Sequence, residues 1–419
     1  MSRNDEIKFS GYLDYDDDRY FFTTDKYRSK IFPYWSQNSI CGFQDKFDGR
    51  SAVGNGVKIG GQDIDWKKRF LFGQDGALNN FAVCAYRKPR ITSGISASFP
   101  TPIIVKGTKS NIRTFKEIRF VGESINIINN PTFALDVDEI KNSEDGSLVF
   151  KTKPRNEIRK EYDVFIKGTK AKLVFSMKSA CKANFDGSSN SFLEIDAYIS
   201  ISFEEPQQLV KIEDCSSYVA SALVFLTGRQ NVGYKIELKN GKGITTADVY
   251  INVGEDDYCD EISGNTISMY FLGDRLPNLF ALLADEETRP FLNFLPLNNK
   301  AKNHISYSDM QDIWTSLERE YIAHGRPNNI KEKFKMVWFV VERSLANDME
   351  KNKKEKTKQQ VVDFYGFRNK VTHEGRIVWE NHIDVYNTLL RAVYYSVFVR
   401  AGYSEDDAKQ YAKQKWQRE

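Results

Sequence analysis

The sequence predicts an α+β fold: a β-rich amino-terminal domain over residues 1–255, followed by an all-α helical bundle over residues 275–419. Three observations carry that expectation. Across the first 255 residues, apolar side chains come in short or alternating runs separated by turn dipeptides such as Asp145-Gly146, Lys167-Gly168 and Asp186-Gly187, the pattern of strands joined by tight turns. From about Arg275 the apolar period changes to three and four residues, which is helical. Between the two, Gly254–Glu261 is acidic and aperiodic, so residues 256–274 read as a linker.

Taken in order, the predicted strands are Ile7–Leu13, Ile118–Val121, Ile125–Ile128, Leu148–Thr152, Tyr162–Lys167, Lys172–Met177 and Leu193–Phe203. In the last of these, Glu194, Asp196 and Ser200 alternate with apolar residues, which predicts one solvated face. Ala52–Gly61 has four glycines but no strand-then-helix frame, so it reads as turns rather than a phosphate loop. The acidic run Asp14–Asp18 lacks the glycine and closing glutamate of a calcium loop and reads as a solvated turn. One helix interrupts the β-rich part, over 206–227. Pro206 suits its first position, Leu209, Val210, Ile212, Val219, Leu223 and Leu226 supply its apolar face, and Gly228 stops it. Tyr234–Leu238 and Ala247–Val253 return to strand. The helical part comprises Leu276–Ala284, Asp309–Ala323 capped by Ser308, Ile330–Glu350, a helix leading out of Lys351–Lys358, Val378–Ala401, and Glu405–Trp416 capped by Ser404. A four- or five-helix bundle closes the chain.

Composition bounds the function. A length of 419 residues predicts two or three domains, and 41% apolar residues suffice for packed cores. The net charge of +3, from 60 basic and 57 acidic residues, excludes a chain that is polycationic throughout. A nucleic-acid surface must then be local. Between Lys331 and Arg376 there are 12 basic and 7 acidic residues, a net of +5, and Lys351, Lys353, Lys354, Lys356 and Lys358 fall within eight residues. Such a strip could neutralise phosphates, and its plain alternative is a solvated loop between helices. Cys41, Cys84, Cys181, Cys215 and Cys259 form no Cys-x-x-Cys pair, and with only four His the chain predicts free buried thiols and no metal site. No cofactor is expected. The polar start Met1–Glu6 is unlike a signal peptide, and the apolar run Val219–Leu226 is under half of what a bilayer requires. The expected setting is a reducing cytoplasm, with no membrane.

One stretch carries chemistry: Asp363–Gly375, in which Arg368, Asn369 and His373 lie within six residues. Arginine is a permanent cation with a planar fork suited to phosphate, and histidine moves protons near neutral pH. That pair suffices to cleave RNA without a metal, because RNA supplies its own nucleophile in the 2′-OH. The spacing alone is cheap. With 22 Arg and 4 His, about 0.6 pairs separated by four to six residues are expected by chance. Three occur: Arg319 to His324, Arg368 to His373, and Arg376 to His382. Arg319 to His324 reads as a charged helix face ending in a histidine near the dipole, and Arg376 to His382 has no orienting group. Arg368 to His373 is singled out because Gly366, Val371, Thr372 and Gly375 predict a failing helix there, which lets side chains five residues apart converge.

Arg368-Asn-x-x-x-His373 between two helices resembles the motif of the HEPN ribonucleases, and Phe364–His373 is similar in particular to the ApeA-like HEPN proteins of bacterial anti-phage defence. Upstream, Gln208-Leu-Val through the Phe225-Leu-Thr-Gly228 stop resembles the amino-terminal domain of those proteins. The resemblance implies a metal-independent endoribonuclease that cleaves cellular RNA to 2′,3′-cyclic phosphate and 5′-OH ends in abortive infection, with tRNA as the suggested substrate. It implies catalysis by Arg368, Asn369 and His373, and a homodimer or higher even oligomer through the HEPN bundle. Lys370, Lys353, Lys354 and Lys356 are the candidate RNA contacts. The β-rich domain would sense a phage-derived trigger and restrain the bundle. The rival expectation is a non-catalytic dimeric interaction protein that binds a phage component through the β-rich domain, with Arg368 a structural ion-pair partner of Asp363 or Glu374.

Overall fold

The computed structural model describes residues 9–15, 18–25, 28–32, 69–86, 90–93, 96–107, 112–130, 135–142, 148–154, 157–183, 191–230, 232–251, 266–296, 306–326, 333–345, 349–374 and 383–415. Within these, 9, 15, 18, 25, 28, 90–93, 96–97, 135–142, 148–154, 179–183, 191–196, 307, 367–374 and 415 are described by their backbone. The fold is α+β, with strands concentrated in the amino-terminal part and helices in the carboxy-terminal part.

The strands are β1 (Phe9–Tyr15), β2 (Asp18–Asp25), β3 (Arg28–Phe32), β4 (Arg69–Asp75), β5 (Asn80–Ala85), β6 (Arg90–Ser93), β7 (Ser96–Pro100), β8 (Ile103–Gly107), β9 (Thr114–Val121), β10 (Leu135–Asn142), β11 (Leu148–Pro154), β12 (Ile158–Ile166), β13 (Thr169–Ala183), β14 (Ser191–Gln208), β15 (Lys235–Lys239) and β16 (Thr245–Ile251). The helices are α1 (Glu123–Ile128), α2 (Lys211–Thr227), a 3-10 helix (Met269–Arg275), α3 (Leu276–Ala284), α4 (Tyr307–Ala323), α5 (Lys333–Ser344), α6 (Lys351–Glu374), α7 (Ile383–Arg400) and α8 (Glu405–Lys415). The chain forms two compact units that alternate along the sequence. One takes residues 1–121, 200–214 and 235–254, and the other 122–199, 215–234 and 255–419.

The first unit is built on antiparallel strands in the order β9-β15-β16-β8-β5-β4-β1-β2-β3-β7-β6. Alternation sets its core face: Leu13, Phe22, Ile31, Leu71, Phe81, Val83 and Ile104 are buried together, and Phe22 stacks on Phe81 at 5.0 Å. Where β1 pairs with β4 the backbones approach so closely that a Cβ at Gly73 would lie 2.0 Å from the Tyr12 carbonyl oxygen, which glycine alone permits. Asp14 of the acidic run pairs with Arg19 at 2.8 Å across the β1–β2 hairpin.

Several elements differ from expectation. Residues 125–128 are helical in α1 rather than a strand. The run Ser-Ile-Asn-Ile-Ile fits both periods, and the three-residue step from Ile125 to Ile128 puts both in the core with no exposure. Pro206 lies in β14, and the helix begins at Lys211; the strand persists because Ile199, Ile201 and Phe203 alternate into the core. Pro206 has no N–H to donate, which suits the last residues of a strand, and Val210 lies outside the helix at 48% exposure. Ser200 is buried, so the expected wet face of β14 fails at that position. α4 is capped by Ser306 rather than Ser308, in a capping box where Ser306 Oγ accepts from the Asp309 N–H and Asp309 accepts from the Ser306 N–H. Ala52–Gly61 and Asp145-Gly146 lie outside the described residues.

In the second unit, β12 and β13 form a hairpin whose turn, Lys167-Gly168, has positive φ at both residues (44° and 77°). Phe280 of α3 packs edge-on against Phe175 of β13 at 5.6 Å and, tilted, against Tyr218 of α2 at 5.7 Å. Phe225 of α2 stacks on Tyr394 of α7 at 4.4 Å, and the Tyr394 hydroxyl donates to the Phe225 carbonyl at 2.8 Å. Both rings are fully buried, and such a pair adds about 0.5–1.5 kcal/mol beyond area burial. The helices after residue 275 are therefore packed together with segments that precede residue 255.

Candidate functional site

Arg368, Asn369, Lys370 and His373 all fall in α6, which runs unbroken from Lys351 to Glu374. The expected failure of the helix at the motif is not observed. Gly366 is exposed and lies within the helix, and a Cβ there would meet nothing within 4 Å, so nothing in its surroundings demands glycine. The turn before the motif is anchored by its apolar residues: Val361 and Phe364 are buried, and Trp314 of α4 meets Phe364 at 6.1 Å and Tyr365 at 5.0 Å. Asp363 accepts from Gln359 at 2.8 Å.

An unbroken helix fixes the angular placement of the motif. At about 100° per residue, Arg368 lies about 40° round the helix from buried Phe364, and His373 about 180° from it. Arg368 and His373 are thus about 140° apart, whereas Asn369 and His373, four residues apart, share one side. One copy of the helix does not bring the three positions together.

The lysine run is helical as well, and forms the first two turns of α6 rather than a loop. Lys353 and Lys356 are exposed. Lys354 pairs with Glu342 at 2.7 Å, and the Lys358 ammonium lies 5.7 Å from the Trp338 ring centroid. Cations at a helix amino terminus oppose the macrodipole, so local helix stability does not account for this charge.

A second constellation, which includes the histidine of the Arg319–His324 pair, is assembled between α4 and α7. Glu320 is fully buried and accepts from Arg400 Nη1 at 2.6 Å and from Ser396 Oγ at 2.7 Å. Arg400 also donates to the Thr288 carbonyl. His324, the residue at which α4 ends, places Nε2 3.0 Å from Ser396 Oγ. Burial raises the Glu320 carboxyl above the usual glutamate range, against the opposing pull of Arg400 and Ser396. Burial lowers His324 below the usual histidine value, assisted by the charges of Arg343, Arg400 and Arg326. Arg319 does not join this group; its guanidinium lies 4.9 Å from the Phe291 ring centroid. The sequence did hold a signal: Glu320 and His324, and Ser396 and Arg400, are each four residues apart, so each helix presents two polar groups on one side.

Cys84 and Cys215 are buried, as expected of both. Among the described residues no helix is long and apolar enough to cross a membrane, and no group of three or more His, Cys, Asp or Glu could hold a metal ion. Comparison of the chain with protein-family models, with curated proteins and with solved structures finds no match.

Proposed function

We propose that the chain is a metal-independent RNA endonuclease of the HEPN type, with its carboxy-terminal helices as the HEPN-like bundle and with catalysis at Arg368, Asn369 and His373. The observation that supports this reading best is α6 itself. One continuous helix carries exposed Lys353 and Lys356 at its start and the Arg-Asn-x-x-x-His motif in its last two turns. A cationic strip draws in the phosphate backbone, and the motif supplies a fixed cation and a proton carrier.

In the proposed reaction His373 takes the proton of a ribose 2′-OH. The 2′-oxygen bonds to the adjacent phosphorus, the P–O5′ bond breaks, and the leaving 5′-oxygen receives a proton. The products are a 2′,3′-cyclic phosphate and a 5′-OH. Arg368 balances the charge that develops on the phosphorane, and Asn369, on the side of His373, orients the imidazole. The angle of about 140° between Arg368 and His373 argues for a composite site, in which Arg368 of one copy and His373 of a second face the same phosphate. A two-fold dimer achieves this with the same surface on both copies. The biological role that goes with the reading is abortive anti-phage defence in the cytoplasm, with tRNA as the RNA class and the β-rich part sensing a phage-derived trigger.

The same angle favours a second reading, in which Arg368 continues the packed stripe of Phe364 and the chain is a non-catalytic interaction protein. Incubation of purified protein with total RNA in EDTA separates the two. The nuclease reading expects discrete fragments ending in cyclic phosphate, abolished in Arg368→Ala and in His373→Ala with the fold intact. Fragments that persist in His373→Ala would sink it.

A further inference from the structure

His324 belongs to no step of the proposed cleavage, yet its surroundings are built. While Glu320 is ionised, the single hydroxyl hydrogen of Ser396 goes to Glu320 Oε2 at 2.7 Å. The 3.0 Å contact between Ser396 Oγ and His324 must then carry the hydrogen of Nε2, donated to the serine oxygen. That tautomer leaves Nδ1 with a lone pair and no partner among the described residues. If a proton arrives at Nδ1, the Nε2 hydrogen can pass to Ser396 Oγ and the serine hydrogen to Glu320 Oε2. The imidazole ends neutral with its hydrogen on Nδ1, and the added proton resides on the buried carboxyl. The chain Glu320–Ser396–His324 thus lets Nδ1 change between acceptor and donor without leaving a net charge on the ring.

The groups that face the ring are cationic in excess. Phe339 of α5 is met by the Arg326 guanidinium at 4.8 Å, by the Arg343 guanidinium at 5.6 Å and, edge-on, by the His324 ring at 6.4 Å. From α7, Arg400 is matched by Glu320, and Tyr395 contacts the Arg343–Glu405 pair. From α8, Glu405 matches Arg343 at 2.8 Å. Arg326 is exposed and has no acidic partner among the described residues. The carboxy-terminal dipole of α4 would favour a charged imidazole, but the net direction at His324 is downward, so burial and the arginines prevail.

We propose that His324 and Arg326 form a phosphate-monoester site beside Arg343, separate from the Arg368–His373 motif. The Arg326 guanidinium, with no carboxylate against it among the described residues, suits a phosphate oxygen. A relay that stores a proton needs a ligand that gives one up near neutral pH. The second ionisation of a phosphate monoester lies near pH 6, close to that of imidazole, whereas a carboxylate ligand is already ionised there. The phosphate hydrogen goes to Nδ1, and Arg326 holds the resulting dianion, beside an Arg343 that Glu405 already matches.

The chain has four histidines, so ring-labelled histidine gives a simple NMR spectrum of the full-length protein, and His324→Asn assigns the signal of interest. Inorganic phosphate and adenosine 5′-monophosphate are titrated separately at constant ionic strength. The expected result is a saturable shift of the His324 signal, with affinity reduced about tenfold in Arg326→Ala, the loss of one charge-assisted pair. A tighter response to the nucleotide assigns the site to a nucleotide or an RNA 5′ end, and an equal response assigns it to the phosphate group as such. A His324 signal that neither probe moves, or that moves equally in Arg326→Ala, overturns the proposal. His373 reports on its own signal, so failure here leaves the cleavage reading untouched, and failure of cleavage leaves this site untouched.

Discussion

At the scale of single residues, the Glu320–Arg400 pair illustrates how a buried charge is kept. Glu320 has no exposure, and its two oxygens are taken by Arg400 and Ser396. Removing one member leaves the other charge desolvated and unmatched, which costs about 3–5 kcal/mol. Arg400→Met is therefore expected to lower the free energy of urea unfolding by about that amount, and Glu320→Leu in the same chain to recover part of it. A double variant as unstable as the sum of the singles would show that the pair is not coupled. His324 carries a pH dependence of definite sign. Folding holds its imidazole below the unfolded value of about 6.5. The unfolded chain then binds a proton that the native state refuses, so this contribution is complete above about pH 6.5 and is lost as the pH falls from there toward the folded value. Glu320 acts in the opposite direction, because its raised carboxyl makes protonation favour the native state. Subtracting His324→Asn from the wild type isolates the histidine. The urea midpoint of the variant is expected to fall less than that of the wild type between about pH 7 and 5.5, and parallel curves would refute the assignment.

At the scale of elements, α6 decides what the motif can do. Its glycine is a clear test. Gly366 is exposed, helical and unobstructed, so Gly366→Ala is expected to stabilise the protein by about 0.5–1 kcal/mol. If cleavage survives, the helix acts as a rigid carrier; if stability rises while cleavage disappears, the glycine serves as a hinge. The same helix shows where the sequence was legible. The change from period two to three and four located α3 to α8, because helices that bury one stripe must repeat apolar residues at that spacing. Ser404 was recognisable as a cap from its own spacing to Asp407, which donates its N–H to Ser404 Oγ at 3.1 Å. Strand β5 was not legible: Phe81 to Ala85 are all buried, so both faces are apolar and no alternation marks them. The motif context misled for a physical reason. Gly366, Val371 and Thr372 have low intrinsic helix propensity, but Val361 and Phe364 are buried, Phe364 against Trp314 of α4, and carry the helix through them. His324 was not legible, because the residue it meets is not Arg319 on its own helix but Ser396, 72 positions away on α7.

At the scale of the molecule, the compact units bear on which experiments are informative. Residues 122–199 and 215–234 belong to the same unit as the carboxy-terminal helices. Deleting everything before residue 255 would strip Phe225 from Tyr394 and Phe175 from Phe280, so the consequences of truncation would mix lost regulation with lost core. Mixing full-length variants avoids this. If Arg368 of one copy and His373 of the other face one phosphate, a dimer of an Arg368→Ala chain with a His373→Ala chain holds one site lacking both groups and one site with both intact. Random pairing makes about half the dimers mixed, each with one working site of two, so an equimolar mixture of the two dead variants is expected to recover about a quarter of wild-type cleavage. If both groups acted from the same copy, every site in the mixture would lack one of them and cleavage would stay at background. The measurement needs only subunit exchange, followed by fragment yield on a gel. Recovery would show that the angle of about 140° on one helix is resolved by a second copy. Background activity, with exchange verified and the wild type active, would place both groups in a single-copy cleft and require α6 to bend there.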